Sequence, residues 1–266
     1  MALFSSVASA AALRVAADPV PHSEILNYIK QTDKQLDLKV IELNGNLNAN
    51  ELLARGDVDA NYFQHVPYLR DQEKALGEKF AVVATVHIEP LGIYSHKVKS
   101  LKDLPDGAQV AVPNNVTNLS RALYLLQANG LITLKSRSAS TLVTTADISD
   151  NPHHLKIIEV EAPQLPRALD DAQLAIINGN YALQAGLVPS KDALALEQAK
   201  DNPYANVLVT TPKLANDPRI LALAKDLESK QTAEFINQHY KGSVIPGGAP
   251  AVLWYISPPT PVAPAA

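Results

Sequence analysis

Short apolar runs alternate with helical stretches from the start of this chain, and that alternation restricts it to α/β architectures. Leu13–Ala17 reads as a buried strand, broken by Asp18-Pro19-Val20-Pro21. Ser23 is placed to N-cap a helix to about Thr32, with Ile25, Leu26 and Ile29 on one face. Leu38–Leu43 returns as a strand, completing the strand–helix–strand unit from which parallel sheets are built. A helix over Ala49–Arg55 stops at Gly56, which suits a left-handed cap, and Val58–Tyr62 is the next strand. Pro67 fits the first turn of a helix reaching about Leu76, before a strand over Phe80–His87.

The pattern restarts near Lys97. Strands are expected over Gln109–Val112, Leu155–Val160, Gln173–Ile177 and Asn206–Thr211. A helix carries Leu119, Ala122, Leu123 and Leu126 at helical spacing and closes at Gly130. One bent helix or two follow between Asp217 and Tyr240. The division read from this is lobe 1 over residues 13–94 plus 205–248, and lobe 2 over 95–204. Residues 1–12 and 249–266 fall outside both. Such a pair of lobes leaves a cleft where loops at strand C-ends converge.

Composition narrows the partners. The chain has 266 residues, 47% of them hydrophobic, enough for two cores. Net charge is −4, and Lys and Arg are scattered, so no field favours nucleic acid. Cysteine is absent, which excludes disulfides, thiolate metal sites and a lipidated cysteine in this chain. Met1–Ala12 ends in Ala8-Ser9-Ala10, like the cleavage region of a secretory signal, though it lacks a basic front; a plain Ala/Ser terminus is the other reading. No run is long enough for a transmembrane helix, and Ile256–Ala266 is a Pro/Ala-rich tail.

The seven histidines show no metal-ligand spacing, and His153-His154 reads as a solvated turn, so no metal or cofactor is expected. Nucleophile motifs and Gly-rich phosphate loops are also absent. Asp57 and Asp59 read as a charged strand end. Against this plain background, Gly56–Leu69 stands out: it puts Tyr62, Phe63, His65 and Tyr68 with Asn61 and Gln64 into one connection between strand and helix. Rings beside hydrogen-bonding tips suit a pocket for a small, partly apolar molecule. Arg121 is read in the first turn of its helix, about 200° around from Leu119, where it is either a surface cation or an anion's partner. Asn178, Asn180 and Tyr181 follow a buried strand, and Asn178 is either a helix cap or a ligand-facing residue.

Gly56–Leu69 resembles the G-D-[IV]-D-A-N-x-F-Q-H-x-P-Y-L signature of the NlpA/MetQ family, methionine-binding proteins of bacterial ABC importers. Val110–Asn114 with Thr117–Leu123, Glu161–Arg167, Ala175–Tyr181 and Pro203–Asn206 agree with the same family, so the likeness runs from about Leu13 to Gly248. The resemblance implies a two-lobed periplasmic-binding-protein fold, type II-like, with a hinged ligand cleft and no catalysis. It implies that Phe63, His65 and Tyr68 surround a ligand side chain and that Arg121, beside Asn118, takes its carboxylate. Asn178 and Asn206 would hold the head group. Departures from the family at Asn46 and at His87-Ile88-Glu89, with Tyr181 nearby, mark candidate specificity positions. The expectation is therefore a periplasmic monomer that delivers methionine, or a close derivative, to a permease and its ATPase. Another amino acid, a dipeptide or a sulfur-containing solute is the alternative, and an enzyme on the same fold is a weaker one.

Overall fold

The structure is a computed structural model that describes residues 11–44, 47–136 and 141–247. The first half follows the alternation closely: β1 (Leu13–Ala17), α1 (Glu24–Thr32), β2 (Leu38–Glu42), α2 (Ala49–Arg55), β3 (Ala60–His65), α3 (Val66–Leu76) and β4 (Ala81–Ile88). Gly56 and Gly77 end α2 and α3 at φ of 78° and 67°, conformations that a side chain would strain. After β4 the chain crosses into β5 (Gly92–Tyr94), β6 (Gln109–Pro113) and α4 (Val116–Ala128). A small hairpin of β7 (Thr133–Leu134) and β8 (Ile148–Asp150) precedes β9 (Lys156–Val160), α5 (Leu165–Ala168), β10 (Leu174–Ile177), α6 (Gly179–Gln184), α7 (Pro189–Asp192) and β11 (Ala195–Leu196). The chain then returns through β12 (Asn206–Thr210), α8 (Pro218–Leu227), α9 (Lys230–Tyr240) and β13 (Ile245–Pro246). Ser229 separates α8 from α9 by capping Thr232 N–H.

The strands form two main sheets. One has the order β13-β4-β12-β3-β1-β2 and the other β11-β5-β10-β6-β9. Neither is purely parallel. β1 pairs in parallel with β2 and β3, whereas the returning β12 lies antiparallel between β3 and β4. In the second sheet β6 is parallel to β9 and β10, with β5 and β11 antiparallel at the edge. Apolar clusters cover both faces of each sheet, as the unbroken burial of β12 and β10 requires.

Three details differ from the sequence reading. Gly92–Tyr94, assigned to the first lobe, pairs with β10 and belongs to the second sheet, so the chain crosses over Glu89–Leu91. The strand expected over Val58–Tyr62 runs instead from Ala60 to His65, because Asn206 and Val207 of β12 pair with His65 and Gln64 and keep that segment extended. The rings of the Gly56–Leu69 stretch therefore stand on a strand end and the first turn of α3, not on a loop. Finally, α4 begins at Val116 with Asn115 as its cap, so Arg121 lies in the second turn and no positive helix end explains it.

Candidate functional site

Strand C-ends of both sheets converge on a cavity of about 360 Å³. Asp18 follows β1, Gln64 and His65 end β3, and Glu89 follows β4. From the second sheet come Asn114 after β6, Glu161–Pro163 after β9 and Asn178–Tyr181 after β10. Asn206, at the start of the antiparallel β12, arrives at the same place.

Phe63, His65 and Tyr68 form one wall. His65 caps α3: its Nδ1 accepts Tyr68 N–H at 3.1 Å. With Nδ1 used as an acceptor, Nε2 carries the proton and donates to Asn118 Oδ1 at 2.9 Å. Burial, reinforced by the Arg121 charge, pulls His65 down to about 4, so it is neutral near pH 7. Its ring meets Tyr204 and Tyr68 edge-on at 5.0 and 6.2 Å between centroids, and Phe63 meets Tyr68 at 6.0 Å. Behind this wall Gln64, Asn50 and Asn61 bond one another and fix the strand. Asp59 pairs with Arg14 and Asp57 with Arg55, away from the cavity.

Arg121 lines the cavity but is not a bare cation. Its Nε and Nη2 grip Glu197 Oε1 and Oε2 at 2.8 and 2.5 Å, and Nη2 also donates to the Glu89 carbonyl at 3.0 Å. The guanidinium lies 4.3 Å from the Tyr204 ring centre. Burial opposes its charge, but the paired Glu197 more than offsets this and holds Arg121 protonated. Burial would likewise raise Glu197, yet Arg121 keeps it below the ordinary carboxylate range. Among the described residues Nη1 donates no hydrogen bond. Glu197 also ties the two crossings together, since its Oε2 accepts Leu91 N–H at 3.1 Å and its own N–H donates to the Leu91 carbonyl at 2.9 Å.

Under the cavity floor Glu89 Oε1 receives Nε2 of His87 at 2.7 Å and of His22 at 3.1 Å. His22 Nε2 also reaches Asn206 Oδ1 at 2.8 Å, which orients that amide, and Tyr62 OH bonds His87 Nδ1. Burial lowers His22 to about 4. Glu89 would be raised by its burial, but the donors around it, His22 first, hold it below the usual range. Ligand atoms of His22, His87 and Glu89 lie within 4.8 Å of one another, a set that could accept a divalent cation. Glu89 Oε1 already faces the Nε2 atoms of both histidines, while His22 Nδ1 is buried without a hydrogen-bond partner.

Phe63, His65, Tyr68, Asn118, Arg121, Asn178, Asn206, Glu89 and Tyr181 thus all line one cavity. His87 is fully buried behind it, and Asn46 lies outside the described residues, as do residues 1–10 and 248–266. Sequence reasoning missed Asp18, taken only as a strand breaker, and Glu197, which stands 76 residues from its partner. It also missed His22, hidden in the helix approach. A carboxylate immediately after a buried strand was the one available signal for Asp18.

Residues 13–248 match the family model of the NlpA lipoprotein. The D-methionine-binding lipoprotein MetQ of Salmonella typhi is 44% identical over 85% of this chain and 83% of its own length. A nutrient binding protein from Burkholderia cenocepacia, solved bound to methionine, superposes with a TM-score of 0.84 at 43% identity, covering 88% of this chain and 99% of that one. A periplasmic substrate-binding protein of an ABC transporter from Coxiella burnetii gives 0.83 at 38% identity, over 88% and 100% of the two chains. The fold is that of these substrate-binding proteins. None of the described helices is long and apolar enough to cross a membrane.

Proposed function

Because the chain belongs to the NlpA lipoprotein family, we propose that it is the extracytoplasmic solute-binding subunit of an ABC importer and that its ligand is methionine or a close derivative. One observation carries the reading. A single cavity is lined by the rings of Phe63, His65 and Tyr68 together with Arg121 and the amides of Asn178 and Asn206. A thioether side chain fits among the rings. The α-carboxylate meets Arg121 Nη1 and the amides of Asn178 and Asn206 fix the head group. Nothing in this set activates a nucleophile, and the relatives described above are named as binding proteins.

The two sheets act as two lobes, joined at Glu89–Leu91 and again between β11 and β12. Glu197 belongs to the second crossing and clamps the first, so the Arg121–Glu197 pair sits at the hinge. Ligand contacts drawn from both lobes favour the closed form, which presents the joined lobes to the permease and its ATPase. The protein works as a monomer in the periplasm. A thermal-shift panel of amino acids tests this: a ligand at about 100 times its Kd stabilises by about 2.7 kcal/mol. Methionine, in either enantiomer, is expected to raise Tm, and a panel without any shift would overturn the reading.

A further inference from the structure

The cavity is lined by more carboxylates, those of Asp18, Glu89 and Glu161, than cations, of which Arg121 is one. Arg121 lines it, but Glu197 already neutralises that charge. Asp18 and Glu89 line it too, and among the described residues neither has a lysine or arginine within ion-pair distance. Asn180 holds the two carboxylates side by side: its backbone N–H donates to Glu89 Oε2 at 2.8 Å and its Nδ2 to Asp18 Oδ2 at 3.0 Å. Gly179 makes this approach possible, since a Cβ there would stand 2.8 Å from Cβ of Glu89. Beside them, Asn178 Oδ1 is buried and accepts no hydrogen bond. Burial and the neighbouring Glu89 charge push Asp18 up to about 7, the mark of a carboxylate lacking a cation.

We propose that Asp18 selects for a protonated amine: the ligand's ammonium group docks between Asp18, Glu89 and Asn178 Oδ1, opposite the carboxylate held at Arg121. Three acceptors match the three N–H donors of a primary ammonium. An acylated nitrogen at the same place carries no charge and leaves Asp18 unpaired in a buried site. The inference rests on the reading of this cavity as an amino-acid site, and adds that the free amine is obligatory.

Calorimetric titration of wild type and Asp18→Asn with L-methionine, N-acetyl-methionine and 4-(methylthio)butanoate tests it. Wild type is expected to bind methionine about 100-fold or more tightly than either analogue. D18N should lose about 10- to 100-fold on methionine, the worth of one charge-assisted hydrogen bond, and bind the butanoate at least as tightly as wild type, because no unpaired carboxylate is then buried under it. Asp18→Ser should follow D18N, and Asp18→Glu should recover part of the loss. If both neutral variants are folded, melting no lower than wild type, and bind methionine within about twofold of it, the inference is overturned while the amino-acid reading stands. If wild type binds no amino acid, both fall.

Discussion

Glu197→Gln is the perturbation whose outcome the structure fixes most closely. Arg121 and Glu197 have side chains only 4% and 16% exposed and meet through two parallel bonds. Two unit charges about 4 Å apart interact by about 4 kcal/mol at an effective dielectric near 20. Removing one partner of such a pair costs about 3–5 kcal/mol, because the remaining charge stays buried. Glutamine keeps an acceptor oxygen for Nε, and the Glu197 charge no longer has to be desolvated, so the net loss is about 2–3 kcal/mol. For a domain of this size each kcal/mol moves Tm by about 2–4 °C, which places the fall at about 5–10 °C. The pH dependence has a definite sign. Glu197 titrates below its unfolded value, so its contribution is complete above the unfolded carboxylate range and disappears as pH falls through the lowered folded value. Calorimetric melts at pH 7 should therefore separate the two proteins fully, and the gap should close below about pH 4. Equal Tm values at pH 7 would refute the reasoning, and would mean that Arg121 finds its stabilisation elsewhere.

Three further outcomes follow from the same geometry. Gly179→Ala forces a methyl group to within 2.8 Å of Glu89 Cβ, and overpacking of this kind costs about 1–3 kcal/mol, read as a lower denaturant midpoint at unchanged slope. Asp18 titrates above its unfolded value, facing Glu89, Tyr68 and Tyr181. Its ionisation thus destabilises the empty protein progressively from about pH 4 to about pH 7. D18N should accordingly be more stable than wild type at pH 8, by about 1–2 kcal/mol after solvent screening at the cleft, and equal to it near pH 4 in urea titrations. Phe63→Ala removes one ring of the apolar wall and should weaken methionine binding about tenfold by calorimetry without abolishing it.

Much of the scaffold is legible from local pattern. Leu13–Ala17 and Leu38–Glu42 declare themselves as short strand-like runs either side of a helical stretch, and the α4 stripe of Leu119, Ala122, Leu123 and Leu126 by its helical spacing. What local pattern cannot convey is where a late strand inserts. β12 reads as an ordinary apolar run, yet its antiparallel place between β3 and β4 extends β3 to His65 and brings Asn206 to the cavity. The site divides along the same line. Phe63, His65 and Tyr68 stand together in the chain and were visible as a cluster. Arg121 was singled out for a helix-end argument that does not apply, since its burial comes from Glu197 and Tyr204 across the fold. Asp18 and Glu89 follow two strands of the first sheet, Asn180 stands in the first turn of α6 after a strand of the second, and they meet only in the folded chain.

The account rests on the cavity recognising an amino acid by both ends of its head group. Titrating ligand-stripped protein with L-methionine in a calorimeter, beside Arg121→Ala, tests that directly. The expected result is saturable one-site binding to wild type with a negative heat-capacity change, and a loss of about 100-fold in the variant. Methionine that gives no heat, or that binds R121A as tightly as wild type, would contradict it.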